Sequence, residues 1–194
     1  MALTYVLNVT SQTSADDLSG FLQYARKNKI DIRYIELGNE LYYSEQGGKV
    51  VETANDYVKI VRPIIARIRS ESPNTRIGIP MSHDNWDWNN RIKAAGLDFN
   101  ACILHPYATT TSTATAGADQ AMFKYASQGL PAIFSDFKRE FPGKMLWITE
   151  WGIEDRPFFR RSNSLAAVIY TADAFISLIR EPAVELSAYH TLFG

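Results

Sequence analysis

Two short apolar runs in this chain each deliver a glutamate at their end. Residues 35–40 read Ile-Glu-Leu-Gly-Asn-Glu and residues 146–151 read Leu-Trp-Ile-Thr-Glu-Trp, so Glu40 and Glu150 occupy the same relative place on two strand-like segments. Two carboxylates at the C-terminal ends of parallel strands are the catalytic groups that cleavage of a glycosidic bond requires. One would protonate the leaving oxygen, and the other, ionised, would attack the anomeric carbon from roughly 5 Å away.

The segments around the two glutamates alternate regularly between strand-like and helix-like patterns. Six strands separated by helices are predicted over residues 3–9, 32–38, 76–80, 99–104, 145–149 and 185–189. Near-continuous apolar strands that alternate with helices indicate a parallel sheet covered by helices. A (β/α)8 barrel and an open doubly wound sheet both have that order. A sheet of the second kind usually carries a glycine-rich phosphate loop after its first strand, and residues 10–14 contain no glycine.

The predicted helices begin at polar residues and carry apolar residues at helical spacing. Five helices are expected, after Ser14, from Thr53 to about residue 71, near residues 89–95, over 119–141 and from Asn163 to about residue 180. A break is expected in the fourth of them near residues 129–131, which read Gly-Leu-Pro. Residues 108–118, which lack periodicity, are interpreted as an exposed loop over the site, and residues 151–162 as a second loop.

The composition argues against several classes of function. A net charge of −1 provides no basic field for nucleic acid and no polybasic patch for a membrane, and no apolar stretch approaches transmembrane length. The three histidines and Cys102 do not fall at metal-ligand spacing, and neither a phosphate loop nor a Gly-x-Ser-x-Gly elbow is present. We therefore expect no metal and no cofactor. Because no repeat or linker divides residues 1–194, we expect a single domain.

A third motif, His105-Pro106-Tyr107, ends the strand that lies between the two glutamate strands in sequence. With it, the chain resembles the clan A glycoside hydrolases, retaining (β/α)8 enzymes in which Asn-Glu ends strand 4 and Glu ends strand 7. The matching runs are residues 37–40 and residues 148–151. The Glu-Leu-Gly-Asn-Glu run is most similar to the α-L-arabinofuranosidase-like branch of that clan.

The resemblance implies a role for each matched residue. Glu40 would be the acid and base, Glu150 the nucleophile, and Asn39, beside the acid, a ligand of a sugar hydroxyl. Tyr107 and His105 would hydrogen-bond the nucleophile and orient the sugar. Further candidates for contacts with the sugar, all at strand ends, are Trp86, Trp151 and His190.

The chain also departs from the pattern of the clan. If Glu40 ends strand 4 and Glu150 ends strand 7, the chain holds strands 3 to 8 of the barrel and lacks the first two βα units, together with the arginine that the clan carries on strand 2. We therefore expect a partial TIM barrel that belongs to a larger enzyme. Strands 3 and 8 would then have unpaired edges, so that self-association is expected.

The functional prediction is a retaining glycoside hydrolase that acts on a poly- or oligosaccharide, with the activity of the isolated chain left open. The alternative is a non-catalytic carbohydrate-binding or scaffold module derived from the barrel, which the missing strands favour for the isolated chain. A third interpretation is an unrelated α/β enzyme in which the glutamate positions are incidental. Cellular location is left open, and a secreted or periplasmic parent protein is compatible with the prediction.

Overall fold

The computed structural model describes residues 3–10, 15–109, 115–154 and 164–190 of the chain. Ser14 and Asn163, the predicted starts of two helices, lie outside these ranges. The chain divides into two compact units, Met1–Ile103 and Leu104–Gly194. Within the described ranges, no helix combines the length and the apolar character that a membrane crossing requires.

The first unit is a parallel sheet with its connecting helices. Its strands are β1 (Leu3–Leu7), β2 (Ile32–Leu37), β3 (Arg76–Pro80) and β4 (Ala101–Ile103), and its helices are α1 (Ala15–Lys27), α2 (Ser44–Gly47), α3 (Ala54–Glu71) and α4 (Trp86–Ala94). The four strands lie side by side in chain order, and each neighbouring pair is parallel. Parallel strands joined by helical connections are the repeating unit of α/β folds.

The core of the first unit is built from its two central strands and α3. Four side chains of β2 and β3 are 0% exposed, namely Ile35, Leu37, Ile77 and Ile79. Complete burial of an aliphatic side chain of this size contributes about 1.5–3 kcal/mol. The side chain of Thr53 caps α3 by accepting the backbone N–H of Asp56 at 3.2 Å. Tyr57, one turn further on, donates its hydroxyl to the carbonyl of Leu37 at 2.8 Å, which ties α3 to the end of β2.

The second unit is centred on one long strand. Its strands are β5 (Tyr107–Thr109), β6 (Met145–Glu154) and β7 (Val184–Tyr189), and its helices are α5 (Thr115–Lys124), α6 (Leu130–Glu140) and α7 (Leu165–Arg180). β6 pairs in parallel with β7 along most of its length and with β5 at its C-terminal end. β6 is consequently the element that connects the two other strands of this unit.

The end of β6 differs from the prediction. Residues 151–154 continue the strand where a loop was predicted, because residues 152–154 pair with β5. Two of the three residues of β5, Ala108 and Thr109, fall within the predicted loop over residues 108–118. The rest of the predicted second loop, residues 155–162, lies outside the described ranges. A pairing between segments more than 40 residues apart leaves no local pattern in the sequence, so it was missed.

The helices also differ from the prediction at three points. α5 begins at Thr115 and not at residue 119, and α4 begins at Trp86 and not near residue 89, since Asn85 caps it through Trp88 N at 3.2 Å. The expected break near residues 129–131 is replaced by a π-helical turn, Tyr125–Gly129, which joins α5 to α6. Because Pro131 lies in the first turn of α6, its missing N–H is tolerated there and does not end the helix.

Candidate active site

Glu40 stands on a tight turn that follows the buried end of β2. Gly38 has φ of 91° and Glu40 has φ of 47°, a left-handed conformation that is uncommon for a residue with a side chain. A Cβ atom on Gly38 would collide with Leu41 Cδ1 and lie 3.1 Å from Val9 Cγ2. The buried side chain of Leu41 therefore closes the turn onto Gly38, and Asn39 and Glu40 remain half-buried at its tip.

Tyr42 contacts the carboxylate of Glu40. Its hydroxyl donates to Glu40 Oε1 at 3.4 Å, and its ring lies edge-on to Tyr43 and Trp88 with centroid distances of 4.6 Å and 6.3 Å. Burial, and then the negative charge of Glu40, raise the pKa of Tyr42 well above its usual range. The phenol consequently keeps its proton at every physiological pH and acts as a donor toward Glu40.

The segment after β3 is held by its own hydrogen bonds. The buried Asn89 side chain accepts the backbone N–H of Ser82 at 3.0 Å and donates to the Ser82 carbonyl at 2.6 Å. Trp88 donates its indole N–H to the carbonyl of Pro80 at 3.0 Å, so it is a fixed part of the core. Trp86, the predicted sugar contact, occupies the first position of α4 and is half-exposed. Its role stays a prediction.

Glu150 stands on an irregularity in β6. In the pairing with β7, Ile148 is opposite Ser187 and Trp151 is opposite Tyr189, so β6 has one more residue than its partner between these positions. An extra residue in one strand is a β-bulge, which redirects side chains and occurs often beside active sites. Both Thr149 and Glu150 are half-buried, whereas the three residues before them are buried. The bulge therefore sets the direction of the Glu150 side chain.

Two residues approach the same carboxylate oxygen of Glu150. Tyr107 donates its hydroxyl to Glu150 Oε2 at 2.8 Å, and His105 Nδ1 lies 3.8 Å from the same oxygen. The side chain of His105 is 2% exposed, and its Nε2 lies 3.2 Å from Thr149 Oγ1. The His-Pro-Tyr motif thus surrounds one side of Glu150, whose side chain is 27% exposed.

His190 extends this arrangement beyond Tyr107. Its Nδ1 lies 2.8 Å from the Tyr107 hydroxyl oxygen, and the two rings meet edge-on at 6.1 Å. Because the single proton of Tyr107 is donated to Glu150, His190 must carry a proton on Nδ1 to donate in turn. The backbone N–H of His190 donates to the carbonyl of Trp151 at 3.0 Å, which holds the residue beside the end of β6.

The residues that follow Glu150 support this position. A Cβ atom on Gly152 would lie 2.9 Å from the carbonyl oxygen of His190, so a larger residue would push that backbone away. The hydroxyl of Tyr170 donates to the Gly152 carbonyl at 2.9 Å. Trp151 is 3% exposed and packs edge-on against Tyr189 at 5.0 Å, and its role as a sugar contact stays a prediction.

Sequence analysis predicted the grouping of Tyr107, His105 and Glu150, and it missed Thr149 and Gly152 as supporting residues. The consecutive polar residues in the run Ile-Thr-Glu-Trp-Gly break the apolar pattern of the strand, and this was the available signal for a bulge. His190 was expected to face the substrate, and the described contact is with Tyr107. Asn39 shares the turn of Glu40, and its role as a sugar ligand stays a prediction.

No protein-family model and no curated protein sequence matches the chain. Among solved structures, the α-L-arabinofuranosidase of Thermotoga maritima matches 97% of this chain and 43% of its own, with a TM-score of 0.73 and 16% identity. A family 51 α-L-arabinofuranosidase of Bifidobacterium longum gives a TM-score of 0.73 at 14% identity, over 96% of this chain and 46% of its own. A family 44 endoglucanase of Clostridium thermocellum gives a TM-score of 0.61 at 14% identity, over 87% of this chain and 45% of its own.

These similarities establish the fold. The chain has the α/β, parallel-stranded fold of the TIM-barrel type found in clan A glycoside hydrolases, as predicted from the three motifs. The chain spans less than half the length of each of these structures, as a partial barrel requires. The predicted fold class and the predicted resemblance are therefore confirmed at the level of fold.

Proposed function

We propose that the chain carries the catalytic pair of a retaining glycoside hydrolase that cleaves O-glycosidic bonds of an oligo- or polysaccharide. The observation that supports this most directly is the 2.8 Å hydrogen bond from Tyr107 to Glu150 Oε2, made by the two motifs that the sequence singled out. The matched structures, which are named as arabinofuranosidases and endoglucanases, support carbohydrate as the substrate class. The proposal includes the prediction that residues 1–194 act as one domain within a larger enzyme.

In the first step, Glu150 attacks as a carboxylate. Tyr107 and His105 both approach Oε2, so we assign the attack on the anomeric carbon to Oε1. The bond between that carbon and the leaving oxygen breaks, and Glu40 donates its proton to the leaving oxygen. The products of this step are the released alcohol or sugar and a glycosyl ester of Glu150. The hydrogen bond from Tyr107 stabilises the ionised form of Glu150 before attack.

In the second step, Glu40 acts as a base. Its carboxylate takes a proton from a water molecule, and the oxygen of that water attacks the anomeric carbon and displaces Glu150. Two displacements at the same carbon restore its original configuration. This mechanism requires the carboxyl groups of Glu40 and Glu150 to be about 5–5.5 Å apart in the active enzyme, and a crystal structure would measure that distance.

The second candidate is a non-catalytic carbohydrate-binding or scaffold module. It is favoured for the isolated chain by the fact that the chain spans only 43–46% of the matched structures in the arabinofuranosidase group. A binding module gives the two glutamates no chemical role, whereas the hydrolase uses one as acid and base and the other as nucleophile. We therefore keep the hydrolase as the main proposal.

The test is hydrolysis by this chain and by any longer protein that contains it. Arabinan, xylan, xyloglucan and the matching p-nitrophenyl glycosides would be the substrates, and NMR would identify the anomer released first. Glu150→Ala should lower turnover by roughly 10⁴-fold or more, whereas Glu154→Ala, which removes a solvent-exposed carboxylate from the same strand, should leave it unchanged. Near-normal turnover of Glu150→Ala, or release of the inverted anomer, would contradict the mechanism.

A further inference from the structure

Two open grooves among the described residues of the first unit lie at opposite ends of its strands. One, of about 320 Å³, lies at the start of β2 and includes Ile32 and Thr75. The other, of about 350 Å³, lies beyond the end of β2 and includes Tyr42, Val51 and Trp88; we name it the Tyr42 groove. Ligands of TIM-barrel proteins bind at the C-terminal ends of the strands, so the Tyr42 groove lies at the end where substrate is expected.

The Tyr42 groove adjoins Glu40 through a shared residue. Tyr42 forms part of the groove wall, and its hydroxyl donates to Glu40 Oε1 at 3.4 Å. In the proposed reaction, Glu40 gives its proton to the leaving oxygen, so whatever is attached to that oxygen must lie beside Glu40. The groove is thus placed where the leaving group of the substrate would extend.

The lining of the Tyr42 groove suits a neutral ligand that is rich in hydroxyl groups. Its rim carries the side-chain amides of Asn55 and Asn85, which can each donate and accept hydrogen bonds. Arg91 and Asp87 also lie on the rim, but they form an ion pair with each other at 2.8 Å. The remaining charged group on the rim is Glu52, which disfavours an anionic ligand.

The floor of the Tyr42 groove is fixed before any ligand arrives. Trp88 is held by its hydrogen bond to the Pro80 carbonyl at 3.0 Å and by its contact with the Tyr57 ring at 5.2 Å. Tyr57 is itself held by the Leu37 carbonyl at 2.8 Å. A preformed groove avoids the cost of ordering on binding. Its volume of about 350 Å³ is near the lower end of ligand sites, which begin at about 300 Å³, and suits one or two sugar rings.

We propose that the Tyr42 groove binds a neutral sugar residue of the leaving group, so that the substrate is an oligo- or polysaccharide continuing beyond the cleaved bond on the Glu40 side. This inference rests on the proposed function. The inference adds to that function a specificity for the leaving group. The segment between β2 and α3, together with α3 and α4, would favour a sugar over a simple alcohol as the leaving group. Asn55, at the start of α3, and Asn85, which caps α4, are the donors that would recognise the hydroxyl groups.

Binding is tested first, on a chain that cannot turn over substrate. The 194-residue chain with Glu150→Gln would be titrated with xylotriose, cellotriose and arabinotriose while NMR follows the indole N–H of Trp88 and the amide of Asn55. We expect shifts in both groups with at least one trisaccharide. Asn55→Ala should weaken that binding about fivefold to tenfold, the effect of one lost hydrogen bond. Asn90→Ala, which removes an exposed amide from α4 away from the groove lining, should not.

Two results would overturn the inference. One is the absence of any chemical-shift change at the Tyr42 groove with each trisaccharide at 20 mM, roughly the dissociation constant of the weakest binding of interest. The other is equal binding by the Asn55→Ala and Asn90→Ala chains. Kinetics separate its failure from that of the proposed function. Asn55→Ala should lower kcat/KM about fivefold to tenfold for oligosaccharides and by less for p-nitrophenyl glycosides, whose leaving group carries no sugar hydroxyl groups. Binding that depends on Asn55 without any hydrolysis would contradict the reaction only, and hydrolysis that is insensitive to Asn55 would contradict the groove only.

Discussion

The hydroxyl of Tyr107 lies 2.8 Å from Glu150 Oε2, across the pairing of β5 with β6. The same hydroxyl oxygen lies 2.8 Å from His190 Nδ1, so hydrogen bonds can run from His190 through Tyr107 to Glu150. Each donor strengthens the next because a donated bond polarises the group that receives it. The carboxylate proposed as the nucleophile is therefore oriented by a chain of two side chains from β5 and from the residue after β7.

Removing the hydroxyl of Tyr107 should impair the reaction without removing the nucleophile. A hydrogen bond to a charged group contributes about 1.5–3 kcal/mol, so Tyr107→Phe should lower kcat/KM by roughly 10- to 150-fold. Steady-state kinetics on a p-nitrophenyl glycoside would measure this. Tyr24→Phe removes a hydroxyl from an exposed tyrosine of α1 and should have no effect. Equal activity of the two variants would show that Tyr107 does not act on Glu150.

His190 should act as a positioning residue through Tyr107. Its ring must carry a proton on Nδ1 to donate to Tyr107, and the ¹⁵N chemical shifts of the two ring nitrogens would show this directly in the 194-residue chain. The side-chain amide of asparagine can place a donor close to the position of Nδ1, so His190→Asn should keep most of the activity, while His190→Ala should lower kcat about fivefold. A ring without a proton on Nδ1, or identical loss in both variants, would contradict this role.

The close approach of Gly152 to His190 gives a prediction about stability. A Cβ atom at residue 152 would lie 2.9 Å from the His190 carbonyl oxygen, so Gly152→Ala should lower the free energy of unfolding by about 1–3 kcal/mol. Gly20 in α1 has no atom within 4 Å of an added Cβ, and Gly20→Ala should raise stability by about 0.5–1 kcal/mol because alanine favours the helix. Urea unfolding of both variants would test the contrast, and two changes of the same sign would refute it.

Much of this arrangement could be predicted from the sequence, since it depends on local patterns. β3 has the predicted bounds, 76–80, because an apolar run there is flanked by Ser-Pro-Asn and ends in proline. The two glutamates were found because each follows an apolar strand. The His-Pro-Tyr motif was found because it ends a third strand between them.

The remaining features depend on contacts between distant residues, which a local pattern does not contain. The pairing of β5 with β6 extends β6 to Glu154, and neither segment alone indicates it. The contact between Tyr107 and His190 joins residues 83 positions apart. The bulge at Thr149 and Glu150 is defined by its register with β7 and therefore requires both strands to be seen. α5 begins within a Thr- and Ala-rich segment that lacks apolar periodicity, so its start was also missed.

The buried hydroxyl of Tyr57 gives a prediction about pH. Burial raises its pKa well above the usual value, so the folded chain holds the neutral phenol, whereas the unfolded chain releases the proton near pH 10. Stability from this group is therefore complete below about pH 10 and falls above it, by at most about 1.4 kcal/mol per pH unit. Urea unfolding between pH 8 and pH 11 should show a shallower decline for Tyr57→Phe than for the unchanged chain. A parallel decline in both would contradict the assignment, and Tyr24→Phe serves as the exposed control.

The outer strand of the first unit should promote self-association of the isolated chain. β1 pairs with β2, and within the described ranges no strand is paired with its other side. Leu3, Tyr5 and Val6 on this strand are 40%, 36% and 48% exposed, so apolar side chains accompany the free backbone edge. Natural edge strands are protected from pairing by charges such as lysine. Val6→Lys should therefore lower the fraction of dimers and larger species in sedimentation velocity at high protein concentration. Val168→Lys, on an exposed position of α7, adds the same charge away from the edge and should lower it less. A clean monomer for the unchanged chain would refute the prediction.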